Sequence, residues 1–161
     1  MLTQAHGVDD FDCGVIELNL FLQRYAKGNS KNGSAKTFVT CRSGTDEVVG
    51  YYSINCGSVI HVEAPDRLSK GLPRHEIPVI LLSRLAVDQS FRGKGLGPEL
   101  VRDAFLRIIR ISDEVGCRAV VVDAKDSGVA AFYKKLGFLA FDANPLRLFV
   151  LMKDVRKSVG V

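Results

Sequence analysis

The chain has few residues of the kinds that hold metals or build disulfide frameworks. Its 161 residues include four cysteines and three histidines. No C-x-x-C pair is present, and the histidines show no ligand spacing with the cysteines, so the sequence predicts neither a metal site nor a disulfide framework. The cysteines are interpreted as small buried hydrophobes. They are Cys13, Cys41, Cys56 and Cys117.

Long hydrophobic runs are also missing. Apolar stretches such as 78–82 and 148–152 are far shorter than the roughly 18 residues that a membrane helix needs. Residues 1–4 lack the basic start and apolar core of a secretory signal. We therefore expect a cytoplasmic protein that has no membrane partner.

Length and composition favour one domain. A chain of 161 residues with 47% hydrophobic content can bury one substantial core and is too short for two ordinary domains. No internal repeat or low-complexity segment is present. We predict a single domain over 1–161, with 155–161 as a loose tail.

Apolar periodicity predicts alternating strands and helices in the second half of the chain. Asp12 is predicted to cap a helix that ends near Tyr25, with Gly28 beyond its end and a loop over 28–34. A crossover from the strand that ends at Val87 to the strand that begins at Ala119 predicts a βαβ unit. The predicted strands are 36–42, 47–56, 79–87, 119–123, 138–141 and 147–153, and the later helices are 98–115 and 128–136.

The most informative stretch is residues 83–98, with the sequence SRLAVDQSFRGKGLGP. An apolar strand runs into a glycine-rich basic turn, and a helix follows. Arg92, Gly95 and Gly97 form the pattern R-x-x-G-x-G, which lets backbone N–H groups point into one space that no side chain blocks. The stretch therefore predicts a diphosphate site, and so an enzyme.

Each residue type in this turn has a physical reason. Glycine at 93, 95 and 97 permits positive φ and close approach of a ligand to the main chain, and Pro98 favours the first helical turn. A turn that merely connects strand to helix is the alternative interpretation. The chain has no G-x-x-x-x-G-K-[ST] string, which would indicate an NTPase loop. The spacing of its glycines also differs from the G-x-G-x-x-G of dinucleotide sites.

Two separated motifs resemble the GNAT acetyltransferase family. They are LAVD at 85–88 with RGKGLG at 92–97, and AFYKKLGF at 131–138. Further segments are similar to the toxin branch of that family, so the resemblance covers nearly the whole chain. These segments are FDCG at 11–14, VGYYS at 49–53, LPR at 72–74 and IPV at 77–79.

The resemblance implies an α/β (α+β) GNAT fold, a mixed twisted sheet flanked by helices on both faces. It implies an acetyl-CoA-dependent toxin that acetylates the α-amino group of aminoacyl-tRNA and blocks translation. The implied partners are a ribbon-helix-helix antitoxin and a second copy of the chain in a homodimer. Many family members carry Asn where this chain has Asp126, so Asp126 is not assigned to the cofactor.

The resemblance also implies which residues bind acetyl-CoA. The main chain of the strand end is expected to hold the pantetheine arm like an added strand. The basic turn is expected to bind the diphosphate. The candidate cofactor residues are Leu85, Ala86, Val87, Arg92, Gly93, Lys94, Gly95, Leu96 and Gly97.

Tyr133 resembles the general-acid tyrosine of the family. A phenol with an ordinary pKa near about 10 is protonated at neutral pH and can give a proton to the departing thiolate. The alternative is a core tyrosine whose hydroxyl bonds to the main chain. No general base stands out. An α-amine needs less help from a base, because it titrates near about 8 and a lysine amine near about 10.4.

Acidic residues are missing between Glu17 and Asp46, where five basic residues occur. A second basic cluster precedes the strand at 79–87, and a third lies near the C-terminus. A solvated face is the alternative interpretation of such charge. The candidate tRNA-binding residues are Lys27, Lys31, Lys36, Arg67, Lys70 and Arg74. The third cluster comprises Arg147, Lys153, Arg156 and Lys157.

Two other functions stay open on sequence alone. The chain could acetylate a protein N-terminus or a small amine with the same cofactor site. It could also be a non-catalytic module that binds acetyl-CoA or an antitoxin. The intact R-x-x-G-x-G pattern and Tyr133 argue against this module.

Overall fold

The computed structural model describes residues 1–161. Its strands are β1 Lys36–Cys41, β2 Val48–Val59, β3 Ile77–Val87, β4 Ala119–Asp123, β5 Leu139–Ala140 and β6 Arg147–Leu151. Its α-helices are α1 Ile16–Leu20, α2 Ala26–Asn32, α3 Asp66–Ser69, α4 Leu96–Ser112, α5 Ser127–Lys135 and α6 Met152–Val159. A π-helical segment, Phe21–Tyr25, lies between α1 and α2, and short 3₁₀ turns occur at His61–Glu63 and Gln89–Phe91.

The six strands form one mixed sheet in the order β1-β2-β3-β4-β6-β5. β3 and β4 pair in parallel, with Ile80 opposite Val120, and α4 connects them. β1 pairs antiparallel with β2, and β6 pairs antiparallel with both β4 and β5. The predicted βαβ crossover and the α/β fold class with a mixed sheet are confirmed.

The chain divides into two compact units. One consists of 1–55 with 83–104, and the other of 56–82 with 105–161. The first unit has a buried apolar cluster that includes Phe21, Leu22 and Tyr51. The second has a cluster that includes Leu68 and Phe149. The single domain over 1–161 stays a prediction.

The N-terminal helix differs from its prediction. α1 begins at Ile16, and the helical backbone continues through Asn32, so Gly28 lies inside a helix and not beyond its end. Asp12 does not cap it, because its carboxylate accepts hydrogen bonds from the Gly14 N–H in the preceding loop and from the Asn19 side chain in α1, and the N-cap position is Val15. Tyr25, near the predicted end of the helix, is 58% exposed. The π-helical segment shifts the side-chain register that a period of 3.6 assumes.

The prediction of a loose tail at 155–161 was wrong for most of the segment. β6 ends at Leu151, and α6 follows at once, Met152–Val159. Val155 is fully buried, and the Arg156 side chain bonds to Ser112 at the end of α4 and to Asp113 just beyond it. Only Gly160 and Val161 lie beyond the helix. The charged residues of this segment hid the helical spacing of Met152, Val155 and Val159.

Other boundaries shifted by a few residues. α4 begins at Leu96 and ends at Ser112, so Gly97 and Pro98 lie in its first turn. No helix is long and apolar enough to cross a membrane. Cys13 is buried as predicted, whereas Cys56 is exposed, so the interpretation as a buried hydrophobe was wrong for Cys56.

Candidate active site

The loop after β3 is organised by Asp88. Its carboxylate accepts hydrogen bonds from the backbone N–H and the hydroxyl of Ser90, and so caps the turn Gln89–Phe91. Desolvation alone would raise the pKa of Asp88, but bonds from the Asp12 N–H and from Ser90 outweigh it and hold that pKa below its ordinary value. Asp88 therefore stays ionised and fixes the entry to the loop.

The glycine-rich turn leaves backbone donors free. The N–H groups of Gly93, Lys94 and Gly95 make no hydrogen bond within the chain. Gly93 and Gly95 have φ of 72° and 79°, and a Cβ at either position would meet nothing within 4 Å. Gly97 does not have the positive φ expected of it, because it lies in the first turn of α4. The turn therefore presents free amides to open space beside a helix N-terminus, which fits a diphosphate.

Arg92 also has a contact that the sequence analysis missed. Its Nη2 donates to the carbonyl oxygen of Cys13. Gly14 has φ of 83°, in the left-handed region that favours glycine, and a Cβ there would lie 2.9 Å from that nitrogen. The Gln89 N–H donates to the Asp12 carbonyl in the same region. The segment 12–14 is thus bound to the start of the phosphate loop, across a separation that no local pattern reveals.

The basic side chain of Lys94 lies against an aromatic ring. Its ammonium group is 4.7 Å from the centroid of Phe91, and the Arg42 guanidinium is 5.1 Å from the same ring. These cation–π contacts keep two positive charges close to the turn.

The last residues of β3 are apolar and lead directly into the loop. Ala86 is buried in the core, and Leu85 and Val87 are half-buried. The Asp88 N–H donates to the Val49 carbonyl, which fixes the end of this strand. The three candidate pantetheine residues thus form one extended segment.

Tyr133 lies in α5, the helix that follows β4. Asp126 caps α5, because its carboxylate accepts from the Val129 N–H at 2.9 Å. The Tyr133 ring is buried and packs edge-on against Phe132 and Phe138 at centroid distances of 5.0 Å and 5.2 Å. Its hydroxyl makes no hydrogen bond within the chain, and burial raises the pKa of Tyr133 well above its usual range. The aromatic contacts therefore fix the Tyr133 ring, and its hydroxyl keeps a proton that it can donate.

The basic residues proposed for tRNA occur in several places. Lys27 and Lys31 lie on α2, and Lys36 begins β1. Lys27 Nζ donates to Gln4 Oε1, and Lys36 Nζ donates to the Ser30 carbonyl, so both bond to neutral acceptors. Arg74 is exposed in the segment before β3.

The other basic candidates take part in a pocket that sequence reasoning missed. Arg67 and Lys70 line it together with Arg118, Leu151 and Lys153. Arg67 also pairs with Asp154 at 2.7 Å. Arg118 was in none of the basic clusters predicted from the sequence. It lines the pocket from its position just before β4.

The chain matches known proteins over most of its length. Residues 34–139 match the acetyltransferase (GNAT) domain. A protein of Mycobacterium tuberculosis, called tRNA-acetylating toxin, is 42% identical over 159 residues, which cover 99% of this chain and 94% of the relative.

Solved structures agree with the fold. AtaT complexed with acetyl-methionyl-tRNAfMet is 30% identical, with a TM-score of 0.88 over 96% of this chain and 93% of that chain. A mutant of AtaT, bound to the C-terminus of the antitoxin AtaR and to acetyl-CoA, is 29% identical, with a TM-score of 0.82 over 97% of this chain and 93% of that chain. The free amides of the loop after β3, the sheet order and these similarities agree, and the chain belongs to the GNAT acetyltransferase family.

Proposed function

We propose that this chain is a toxin that uses acetyl-CoA to acetylate the α-amino group of aminoacyl-tRNA. The observation that carries the proposal is the similarity, over almost the whole chain, to a relative called tRNA-acetylating toxin. The AtaT structure that contains acetyl-methionyl-tRNAfMet supports the same acceptor. Blocking the amine of an aminoacyl-tRNA prevents its use as an amine nucleophile, so translation stops.

Acetyl-CoA fits the residues of the loop after β3. The free N–H groups of Gly93, Lys94 and Gly95 bind the diphosphate, and the Lys94 ammonium adds positive charge. The extended main chain over 85–87 holds the pantetheine arm. When bound, acetyl-CoA supplies a thioester whose acyl carbon accepts the amine nitrogen.

Tyr133 serves as the general acid. Burial keeps its phenol protonated at neutral pH, and its hydroxyl has no competing partner within the chain. Tyr133 gives this proton to the departing thiolate. The acceptor nitrogen needs little help from a base, because an α-amine with a pKa near about 8 is already partly neutral at physiological pH.

The partners follow from the same function. A ribbon-helix-helix antitoxin neutralises the toxin, and its C-terminal segment binds it, as supported by the AtaT complex with the C-terminus of AtaR. The toxin acts as a homodimer. Lys27, Lys31 and Lys36 contact the tRNA backbone, together with Arg74.

Acetyl transfer from labelled acetyl-CoA tests the proposal. Purified protein is given total charged tRNA, a peptide mixture or small amines, in parallel. We expect label in aminoacyl-tRNA and its loss in Tyr133→Phe, whereas the exposed-tyrosine control Tyr25→Phe keeps it. Label found only in peptides or amines would show that aminoacyl-tRNA is not the acceptor. No label in any acceptor would favour a non-catalytic binding module.

A second experiment tests the tRNA face. Charge reversal at Lys27, Lys31 and Lys36 is expected to raise the KM for aminoacyl-tRNA without changing the Kd for acetyl-CoA. Unchanged activity on aminoacyl-tRNA would remove these lysines from the binding surface.

Sedimentation of the purified chain, alone and with the antitoxin, measures the proposed homodimer and complex.

A further inference from the structure

The basic pocket has a defined volume and an unusual lining. It encloses about 280 Å³ and is lined by four cationic side chains and one apolar residue. The sequence separates these side chains by up to 86 positions, and the fold brings them together in one unit. They are Arg67, Lys70, Arg118 and Lys153, with Leu151.

The guanidinium of Arg118 is held in place. Its Nε donates to the Leu68 carbonyl, and its Nη2 donates to the Lys70 carbonyl, both at 3.0 Å. Both acceptors are neutral, so these bonds fix the side chain and leave its charge uncompensated. A fixed guanidinium suits a phosphate, because little rotamer entropy is lost when the ligand binds.

The positive charges that line the pocket outnumber the carboxylates that pair with them. Arg67 pairs with Asp154, the one carboxylate paired with a lining residue. Lys70 and Lys153 are exposed, and neither pairs with a carboxylate. The pocket therefore carries a net positive charge, and its two lysines are free to reach an anion.

The pocket and the start of α5 lie at opposite ends of β4, within the same unit. Arg118 immediately precedes the N-terminal end of β4, whereas α5, which carries Tyr133, follows the C-terminal end of β4. Five strand residues span roughly 16 Å at about 3.3 Å per residue. A ligand that reaches from the pocket to the start of α5 must therefore be at least about 16 Å long.

We propose that this pocket binds a phosphodiester of the tRNA backbone, away from the aminoacylated end. The inference rests on the proposed function, since aminoacyl-tRNA is the polyanion that the reaction requires. The lining of four cations around one leucine favours phosphate over a peptide, for which a pocket with more apolar surface is needed.

Salt dependence of binding tests the pocket directly. The Kd of uncharged tRNA is measured over a range of salt concentrations for the wild type, Lys153→Gln and the double variant Lys70→Gln/Lys153→Gln. Each lost phosphate contact lowers the slope of log Kd against log salt by about 0.8, so the double variant loses about 1.6. Lys157→Gln is the matched control, because Lys157 is exposed on the same helix and does not line the pocket.

Each outcome decides the proposal. A lower slope in Lys153→Gln, with the control unchanged, supports the pocket. Equal slopes in wild type and the double variant overturn it, as does an equal loss in Lys157→Gln. A loss of affinity for a polyglutamate peptide, without a change in the tRNA slope, also overturns it.

Acetylation assays on the same variants separate this inference from the proposed function. We expect a raised KM for aminoacyl-tRNA and an unchanged kcat in the double variant. If the wild type acetylates no aminoacyl-tRNA but the binding slope still falls, the function fails and the pocket stands. If acetylation proceeds and the slopes are equal, the pocket fails and the function stands.

Discussion

The guanidinium of Arg156 donates to the Asp113 carboxylate at 2.6 Å and to the Ser112 hydroxyl at 3.1 Å. Both acceptors lie at the C-terminal end of α4 or just beyond it. Val155, the preceding residue, is fully buried. α6 is therefore a packed element of its unit.

Deletion of residues 155–161 is predicted to destabilise the protein. The deletion exposes apolar surface that Val155 covers, which costs at least about 2 kcal/mol. Removal of 160–161 alone is the control and should change little. Urea denaturation measures both, and equal stability of the wild type and the longer deletion would show that α6 contributes nothing.

The fold was predictable where local sequence determines local structure. β1, β4 and α5 were placed within one residue, because apolar runs, alternation and turn residues mark their bounds. α6 was missed, because its apolar residues are separated by charged ones and Val155 is buried only when distant segments pack around it. Local helix and strand propensities carry no information about that tertiary contact.

The buried hydroxyl pair Thr37–Ser53 gives a second prediction. The two oxygens are 2.7 Å apart, and both residues are fully buried on paired strands. Thr37→Val leaves the Ser53 hydroxyl without this partner, so we expect a loss of about 1–3 kcal/mol of unfolding free energy.

A double-mutant cycle isolates the pair. Ser53→Ala orphans the Thr37 hydroxyl in the same way, so the double variant is expected to cost less than the sum of the single variants, by about 1 kcal/mol. Chemical denaturation supplies all four free energies. Strict additivity would mean that the hydrogen bond contributes nothing to stability.

Tyr133→Phe is predicted to lower kcat and leave stability intact. The loss of a general acid costs about 10²–10⁴-fold in rate. The hydroxyl makes no hydrogen bond within the chain, so its removal breaks no internal contact. Single-turnover acetylation and thermal unfolding measure the two effects. A variant that loses activity together with Tm would indicate a structural tyrosine.

The candidate site was predictable only in part. The phosphate loop is contiguous in sequence, so its glycines and cations could be identified by spacing. The bond from Arg92 to the Cys13 carbonyl joins residues 79 positions apart. Arg118 enters the basic pocket through hydrogen bonds to the backbone of α3 and the residue after it. Such contacts depend on how the helices and strands pack against one another, and a single sequence does not show that packing.

Stability is predicted to fall at alkaline pH. Burial raises the pKa of Tyr133 in the folded chain, whereas an unfolded tyrosine ionises near about pH 10. Above that pH the unfolded state loses a proton that the folded state keeps, so the unfolding free energy falls by up to about 1.4 kcal/mol per pH unit. Below it, this group contributes no pH dependence.

Comparison of two proteins isolates this effect. Urea denaturation of wild type and Tyr133→Phe is carried out between about pH 9 and about pH 11.5, on either side of the tyrosine pKa. The wild type should lose stability more steeply, and the difference should begin near about pH 10. Parallel curves throughout would show that Tyr133 ionises as easily in the folded chain as in the unfolded one.

Gly95→Ala is predicted to weaken acetyl-CoA binding. Gly95 has φ of 79°, and a side chain in this left-handed region costs roughly 1–2 kcal/mol, so the turn is expected to rearrange. No atom lies within 4 Å of the new Cβ, so the effect is one of backbone conformation and not of a clash. A cost of about 1.4 kcal/mol corresponds to a tenfold higher Kd.

Gly28→Ala is the matched control for this prediction. Gly28 lies in α2, also with nothing within 4 Å of a Cβ, but its φ is not positive. Alanine there should raise stability by about 0.5–1 kcal/mol, since glycine is unfavourable inside a helix. Calorimetric titration with acetyl-CoA measures both variants. A tenfold weaker Kd in Gly95→Ala alone ties binding to the free amides of the turn, whereas equal Kd values would remove that turn from the cofactor site.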